Sequence, residues 1–376
     1  MFLQILFGME ILLDLLERYK VDKTIRNSNI ELLRIVLMFM VILLHFNNGS
    51  MGGAFNYVKN IPVNNFILYL FESLSICAVN CFMIISGYFL AYNKTVKLSK
   101  IVDLLFIVIL YNLFDLMLSI VLNENVFSLK ALVGCFIPAN YFAIFYIITY
   151  IFSPFVALIF DNTTKKIQNL LLFFTLVIFV LLPTFIDIVN NLGLNLNGIS
   201  PISINGNGAG YTIVQFVVCL IIGFYLRRNN INGNTFLLII IYVLSSIIMT
   251  LFIHKLPSLY NYCSVFTVVN AICLFLLFNK LNFNNKIVNY ISKSVFAIYC
   301  IHTHYSINLL WKKYLILPKF VGGGISEMLI CMIISVVVMF VFCLVIDIIV
   351  RYTINLIKDK LLTKMPVLFS LKEQNK

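Results

Sequence analysis

Residues 330–346 read ICMIISVVVMFVFCLVI, an unbroken apolar run closed by Asp347, and residues 170–182 read LLLFFTLVIFVLL. Uncharged runs of this kind approach the ~20 apolar residues that carry a helix across a bilayer. A transmembrane β-barrel shows instead ~10-residue segments of alternating polarity, so the pattern is helical. The rest of the chain agrees. Of its 376 residues 61% are hydrophobic and 11% charged, with a mean hydropathy of +1.00, against about 45–50% apolar and 25% charged in soluble domains. A water-soluble fold is excluded. At one span per ~20 residues there is room for about ten helices and little else. We expect an all-α integral membrane protein, a polytopic bundle of about ten transmembrane helices.

Apolar runs bounded by charged or Asn/Gly/Pro-rich turns place the spans at about 30–47, 66–91, 101–122, 139–160, 168–189, 211–226, 235–254, 261–278, 287–311 and 325–350. An even count puts both termini on one side. If that side is the cytoplasm, 19 of the 27 basic residues fall on inside segments and 6 on outside loops, the asymmetry expected of cytoplasmic termini. The net charge of +12 is then a topology signal, and no nucleic-acid partner is expected. Residues 1–26 read as an amphipathic interfacial segment, with Glu10, Asp14, Glu17 and Arg18 on one face. Residues 27–350 form the transmembrane domain and 351–376 a basic cytoplasmic tail. The outside loop between Val189 and Tyr211 is uncharged and rich in Asn and Gly; it reads either as a cover for a sugar site or as a plain connector. Most of the nine cysteines sit inside apolar runs, where Cys acts as a small hydrophobe, and their spacing gives neither a disulfide framework nor a metal site.

Ionisable side chains are costly in hydrocarbon, so each one inside a span is a candidate site residue facing the bundle interior. The first span holds Glu31, Arg34 and His45. Eleven residues are three turns plus about 20°, which puts Arg34 and His45 on one face roughly 16 Å apart. A guanidinium can hold phosphate or developing negative charge, and a neutral imidazole can take a proton from a hydroxyl. The bland alternative is an interfacial Glu31–Arg34 pair with His45 in the headgroups. The second span carries Glu72 and then Ser86-Gly87-Tyr88, where Ser86-Gly87 is expected to loosen the helix and let a ligand approach its backbone. Asp103, Asp115 and Asp347 read mainly as helix-end or packing residues with buried partners. Tyr299 and His302 share a face of the ninth span, His302 being either interfacial or lining. His302 and His304 are poorly spaced for a metal, and His254 reads as surface.

Taken in order, these residues resemble the membrane-embedded acyltransferase-3 family, whose bacterial members mostly O-acylate cell-surface glycans. The first-helix signature, a basic residue, ten residues and a His, stands here as Arg34 and His45, within Glu31-Leu32-Leu33-Arg34. The phenylalanine-rich Ser-Gly motif stands as Phe82 to Tyr88, the late Tyr-x-x-His as Tyr299 and His302, and the fourth span as Tyr141 to Tyr146 with Tyr150 and Pro154. There are two departures: Cys81-Phe82 replaces the paired Phe, and no Trp lies near Tyr141. The Asn80-Cys81-Phe82 variant resembles members encoded with capsule or exopolysaccharide genes. Unlike members with an added hydrolase-like domain, this chain is expected to carry no second domain after residue 350.

The resemblance implies a multi-pass protein of the bacterial plasma membrane that uses cytoplasmic acetyl-CoA as acyl donor, with no metal. It moves an acetyl group to a hydroxyl of a cell-surface or lipid-linked polysaccharide. His45 is then the general base, and Arg34 holds the donor, oriented by Glu31 or Glu72. Ser86 and Gly87 lie along the donor, while Glu31, Glu72, Tyr88, Tyr299 and His302 are candidates to line the substrate. Membrane lipid and polysaccharide-synthesis membrane proteins are the expected surroundings. The competing class is a polysaccharide or lipid exporter or flippase whose translocation path is lined by the same polar groups. It gains from the number of spans and loses from the absence of an internal repeat.

Overall fold

The computed structural model describes residues 27–49, 52–124, 127–138, 140–194, 196, 210–314 and 320–364. Every regular element among them is helical. The expectations for residues 1–26, for most of the Asn/Gly-rich loop and for the end of the tail lie outside the described residues. Eight helical stretches are long and apolar enough to cross a membrane. The principal helices are α1 (Ser28–Asn47), α2 (Pro62–Ser75), α3 (Ala78–Leu90), α4 (Leu98–Val121), α5 (Tyr141–Asp161), α6 (Lys165–Asn191), α7 (Ile213–Arg228), α8 (Thr235–Phe252), α9 (Val265–Asn279), α10 (Val295–His302) and α11 (Ile325–Lys364).

Two of the ten expected spans take another form. Residues 211–226 give α7, only 16 residues long, and residues 287–311 break into short pieces, Lys286–Ile291, Ser292–Ser294, α10 and Tyr305–Tyr314. Apolarity marks both stretches as buried without fixing their length, because a helix enclosed by other helices needs no lipid-matched span. Ser292, Lys293 and Ser294 interrupt the ninth run with a 3₁₀ turn. α11 runs through residue 350, where the sequence reading began the tail.

α1 lies at the centre. Ile30, Leu33, Leu37, Met38, Ile42 and Phe46 are buried on it, and α2, α3, α9, α10 and α11 all pack against it. α4 is peripheral: Leu98, Val102, Phe106, Met117 and Val121 stand exposed, the face a membrane helix gives to lipid. Its other side is polar, with Tyr111 donating to Asp347 Oδ1 at 2.6 Å and Asp347 ion-paired to Arg351 at 2.7 Å. Asp347 thus has the buried partner expected of it.

Local breaks have identifiable causes. Pro154 deprives the Tyr150 carbonyl of its helical donor, and Ser153 Oγ supplies one at 2.8 Å. A π-turn at Val177–Leu181 precedes Pro183 in α6, one way a helix admits proline. The second span bends at Ile76–Cys77, between α2 and α3. There the Tyr242 hydroxyl, from α8, donates to the Leu74 carbonyl at 2.6 Å and takes the acceptor that the Ala78 N–H would use in an unbroken helix.

Candidate active site

α1 ends at Asn47, and the last turn holds His45. The turn is fixed from α2: Glu72 accepts from Asn47 Nδ2 and Asn48 Nδ2, each at 2.8 Å, one on each carboxylate oxygen. The two amides stand two and three residues after His45, so the carboxylate ties down the end of the helix that carries the imidazole. On its other side His45 meets α10. Its Nδ1 lies 2.9 Å from Nε2 of His302, and the rings are tilted by 33° with centroids 4.9 Å apart. The Nδ1 of His302 lies 2.7 Å from the Ile298 carbonyl oxygen. His302 is fully buried, while His45 is partly open.

His45 faces a cavity of ≈ 560 Å³ whose wall includes Asn48, Glu72, Asn112, Asn140, Tyr141 and His304. Tyr211, Tyr262, Tyr299 and Thr303 line it as well. The tyrosines form a packed group: Tyr141 and Tyr211 have centroids 5.3 Å apart, and Tyr211 donates to the Tyr262 hydroxyl at 2.7 Å. Tyr262 is held from behind by Asn80 and Gln215, whose amides donate to its carbonyl at 2.8 and 3.0 Å. Asn80, which marks the departure of the second-helix motif, thus supports the cavity wall. Behind the cavity residue His304, Asp115 on α4 lies 3.7 Å from its Nδ1 and accepts from the Ser306 N–H at 3.1 Å. The buried His304 Nε2 has no hydrogen-bond partner among the described residues. Aromatic faces, amides, a carboxylate and imidazoles around one space suit a ligand with many hydroxyls and apolar ring faces.

Arg34 lies three turns away, near the other end of α1. Its guanidinium pairs with Glu31 at 2.8 Å and sits 5.7 Å from the centre of the Phe89 ring. Next to Phe89, Tyr88 accepts from Arg227 Nη1 at 2.9 Å, and the same guanidinium lies 4.8 Å from the Tyr88 ring centre. Arg228 is held differently, by Asp161 at 2.7 Å and the Ala91 carbonyl. Arg34, Tyr88 and Arg227 therefore form a cationic and aromatic surface at the end of the molecule opposite the cavity.

Several candidate positions are corrected by this geometry. Glu72 belongs to the His45 end and does not orient Arg34; among the described residues, Glu31 is the carboxylate paired with it. Ser86 and Gly87 do not open the helix: Ser86 Oγ donates to the Phe82 carbonyl at 2.9 Å, and α3 runs unbroken past them. Gly87 packs against Gly223 of α7, where a Cβ on either residue would run into the other helix's backbone, the role small residues take between membrane helices. Of the five substrate-lining candidates, Glu72 and Tyr299 are on the cavity wall; Glu31, Tyr88 and His302 are not. Asn112, Asn140, Tyr211, Tyr262 and His304 on the cavity wall, and Asp115 beside His304, are not among the site residues that the sequence offers. The spacing of Asn112 and Asp115 at i and i+3 in the apolar middle of α4 is a usable signal. No cue along the chain paired Asp115 with His304.

No curated protein and no solved structure matches the chain. Residues 27–345 match the family model described as an acyltransferase domain, covering α1 through about the first half of α11 and both candidate ends. This multi-pass membrane protein therefore belongs to the acyltransferase-3 family, a match that supports a membrane acyltransferase.

Proposed function

We propose that the protein is an O-acetyltransferase that moves an acetyl group from acetyl-CoA to a hydroxyl of a cell-surface or lipid-linked polysaccharide in a bacterial plasma membrane. The observation that supports it most is the placement of His45, an imidazole on the wall of a cavity lined by tyrosines and amides, bonded to His302 and carried on a helix end that Glu72 ties down. The acceptor hydroxyl lies in the cavity and gives its proton to His45 as its oxygen attacks the thioester carbonyl. The C–O bond forms, the C–S bond breaks, and the leaving thiolate takes the proton from His45. General base catalysis of this kind contributes about 10²–10⁴-fold.

The donor's phosphates and adenine suit the opposite end, where Arg34 and Arg227 stand beside aromatic rings and a guanidinium matches phosphate geometry. That end is cytoplasmic in the topology that the basic residues favour, which also puts both termini inside. The acyl group travels along α1 toward His45.

The test is proton NMR of surface polysaccharide, before and after mild alkali, from cells with the native chain, a deletion and His45→Ala. Loss of alkali-labile acetyl signals in both mutants at unchanged polymer yield is the expected result. A fall in exported polymer with its acetylation intact replaces this reading with a transport function.

A further inference from the structure

We infer that His302 is a positioning residue that holds His45 in the tautomer protonated on Nδ1 and leaves the lone pair of His45 Nε2 for the cavity. The inference rests on the acyltransferase reading for its purpose, but the tautomer itself follows from two contacts among four atoms. A carbonyl oxygen can only accept a hydrogen bond. The Ile298 carbonyl lies 2.7 Å from His302 Nδ1, so that nitrogen carries the proton. A neutral His302 then has a lone pair on Nε2. The 2.9 Å contact between His302 Nε2 and His45 Nδ1 has room for one proton, which must be on His45. A neutral His45 is thereby left with an unprotonated Nε2, which has no protein partner among the described residues.

Both rings are neutral in this arrangement because, among the described residues, no carboxylate forms a hydrogen bond or ion pair with either. Glu72 is occupied by Asn47 and Asn48, and Asp115 stands beside His304. An uncompensated charge on the fully buried His302 would be costly. The fold sets the line: His302 is the last residue of α10, four after Ile298, so its ring turns back on its own helix and presents the far nitrogen to α1.

The consequence for the reaction is specific. The nitrogen that takes the hydroxyl proton is His45 Nε2, and the Nδ1–H bond to His302 persists while His45 is charged. That bond then has an ionised donor, which strengthens it. An aspartate holds the imidazole tautomer in serine-protease triads; here a second, neutral imidazole does so without adding charge to the bundle. His302 is absent from the cavity wall, and it acts through His45.

The chain has four histidines, which makes the tautomer directly readable. In ¹⁵N-histidine-labelled protein in lipid nanodiscs, assigned by single substitutions, the nitrogen shifts should show Nδ1 of His45 protonated and Nε2 bare. A proton on His45 Nε2 overturns the inference whether or not the protein transfers acetyl groups. In membranes containing the native acceptor and titrated with labelled acetyl-CoA, His302→Leu should lower kcat at least about 100-fold, within the range general base catalysis contributes, with KM for acetyl-CoA changed less than about twofold. His302→Gln, whose amide oxygen can accept from His45 Nδ1, should recover at least about tenfold of that loss. A His302→Leu variant with kcat near the wild-type value, or Leu and Gln variants equally impaired while the protein remains monodisperse, contradicts the positioning role. Wild-type membranes that transfer no acetyl group remove the acyltransferase reading and leave the nitrogen shifts to decide the tautomer.

Discussion

The two ends of α1 are built differently. Around His45 the polar groups hold one another: Glu72 serves two amides, His302 links His45 to the Ile298 carbonyl, and Tyr262 is held by Asn80 and Gln215. Around Arg34 the contacts are a single carboxylate and ring faces, with Arg227 likewise resting on Tyr88. A group that must meet a reacting atom needs one fixed geometry. A surface that grips phosphates can leave its cations only loosely held. Under the proposed function, the contrast assigns the chemistry to the His45 end and donor binding to the Arg34 end.

The largest expected effect is at the His45 end. His45→Ala should lower acetyl transfer by about 10²–10⁴-fold without reducing the amount of protein in the membrane, measured by polysaccharide acetyl content against immunoblot. Between the two ends, Gly223→Val drives a side chain into the backbone of α3. It should cost roughly 3 kcal/mol, the upper part of the range for overpacking, seen as loss of monodisperse protein after detergent extraction. If Gly223→Val is tolerated, the α3–α7 contact is looser than described and Ser86-Gly87 regains its claim to a ligand.

Glu72→Gln sharpens the comparison at the His45 end. It replaces one acceptor oxygen with an NH₂ group that faces an amide donor and should cost about 1–3 kcal/mol, read as a lower thermal midpoint. Arg34→Lys probes the other end and should be mildest. The shorter, single-point cation should raise KM for acetyl-CoA by about tenfold, equivalent to ~1.4 kcal/mol, with kcat nearly unchanged. A kcat loss matching that of His45→Ala would erase the division between the ends.

Much of this was legible along the chain. Apolar runs announce a helical membrane protein, and the eleven-residue spacing puts Arg34 and His45 on one helix face. What composition could not give is length under enclosure: residues 213–228 are apolar enough for a span yet form only four or so turns, because other helices rather than lipid surround them. Nor does Ser86-Gly87 declare whether its small size admits a ligand or a neighbouring helix; Gly223, more than a hundred residues on, decides that. The bend nearby comes from a hydroxyl on another helix, Tyr242. The pairing of His45 with His302, and of Asp115 with His304, spans nearly two hundred residues or more and follows only from how α1, α4 and α10 meet.

The most direct test of the two-ended account is an acetyl-CoA titration of acetyl transfer in membranes carrying the native acceptor, run side by side for wild type, His45→Ala and Arg34→Lys. The account predicts that His45→Ala removes turnover even at saturating acetyl-CoA, whereas Arg34→Lys reaches nearly the wild-type rate at higher donor concentration. Turnover by His45→Ala at the wild-type rate would contradict it.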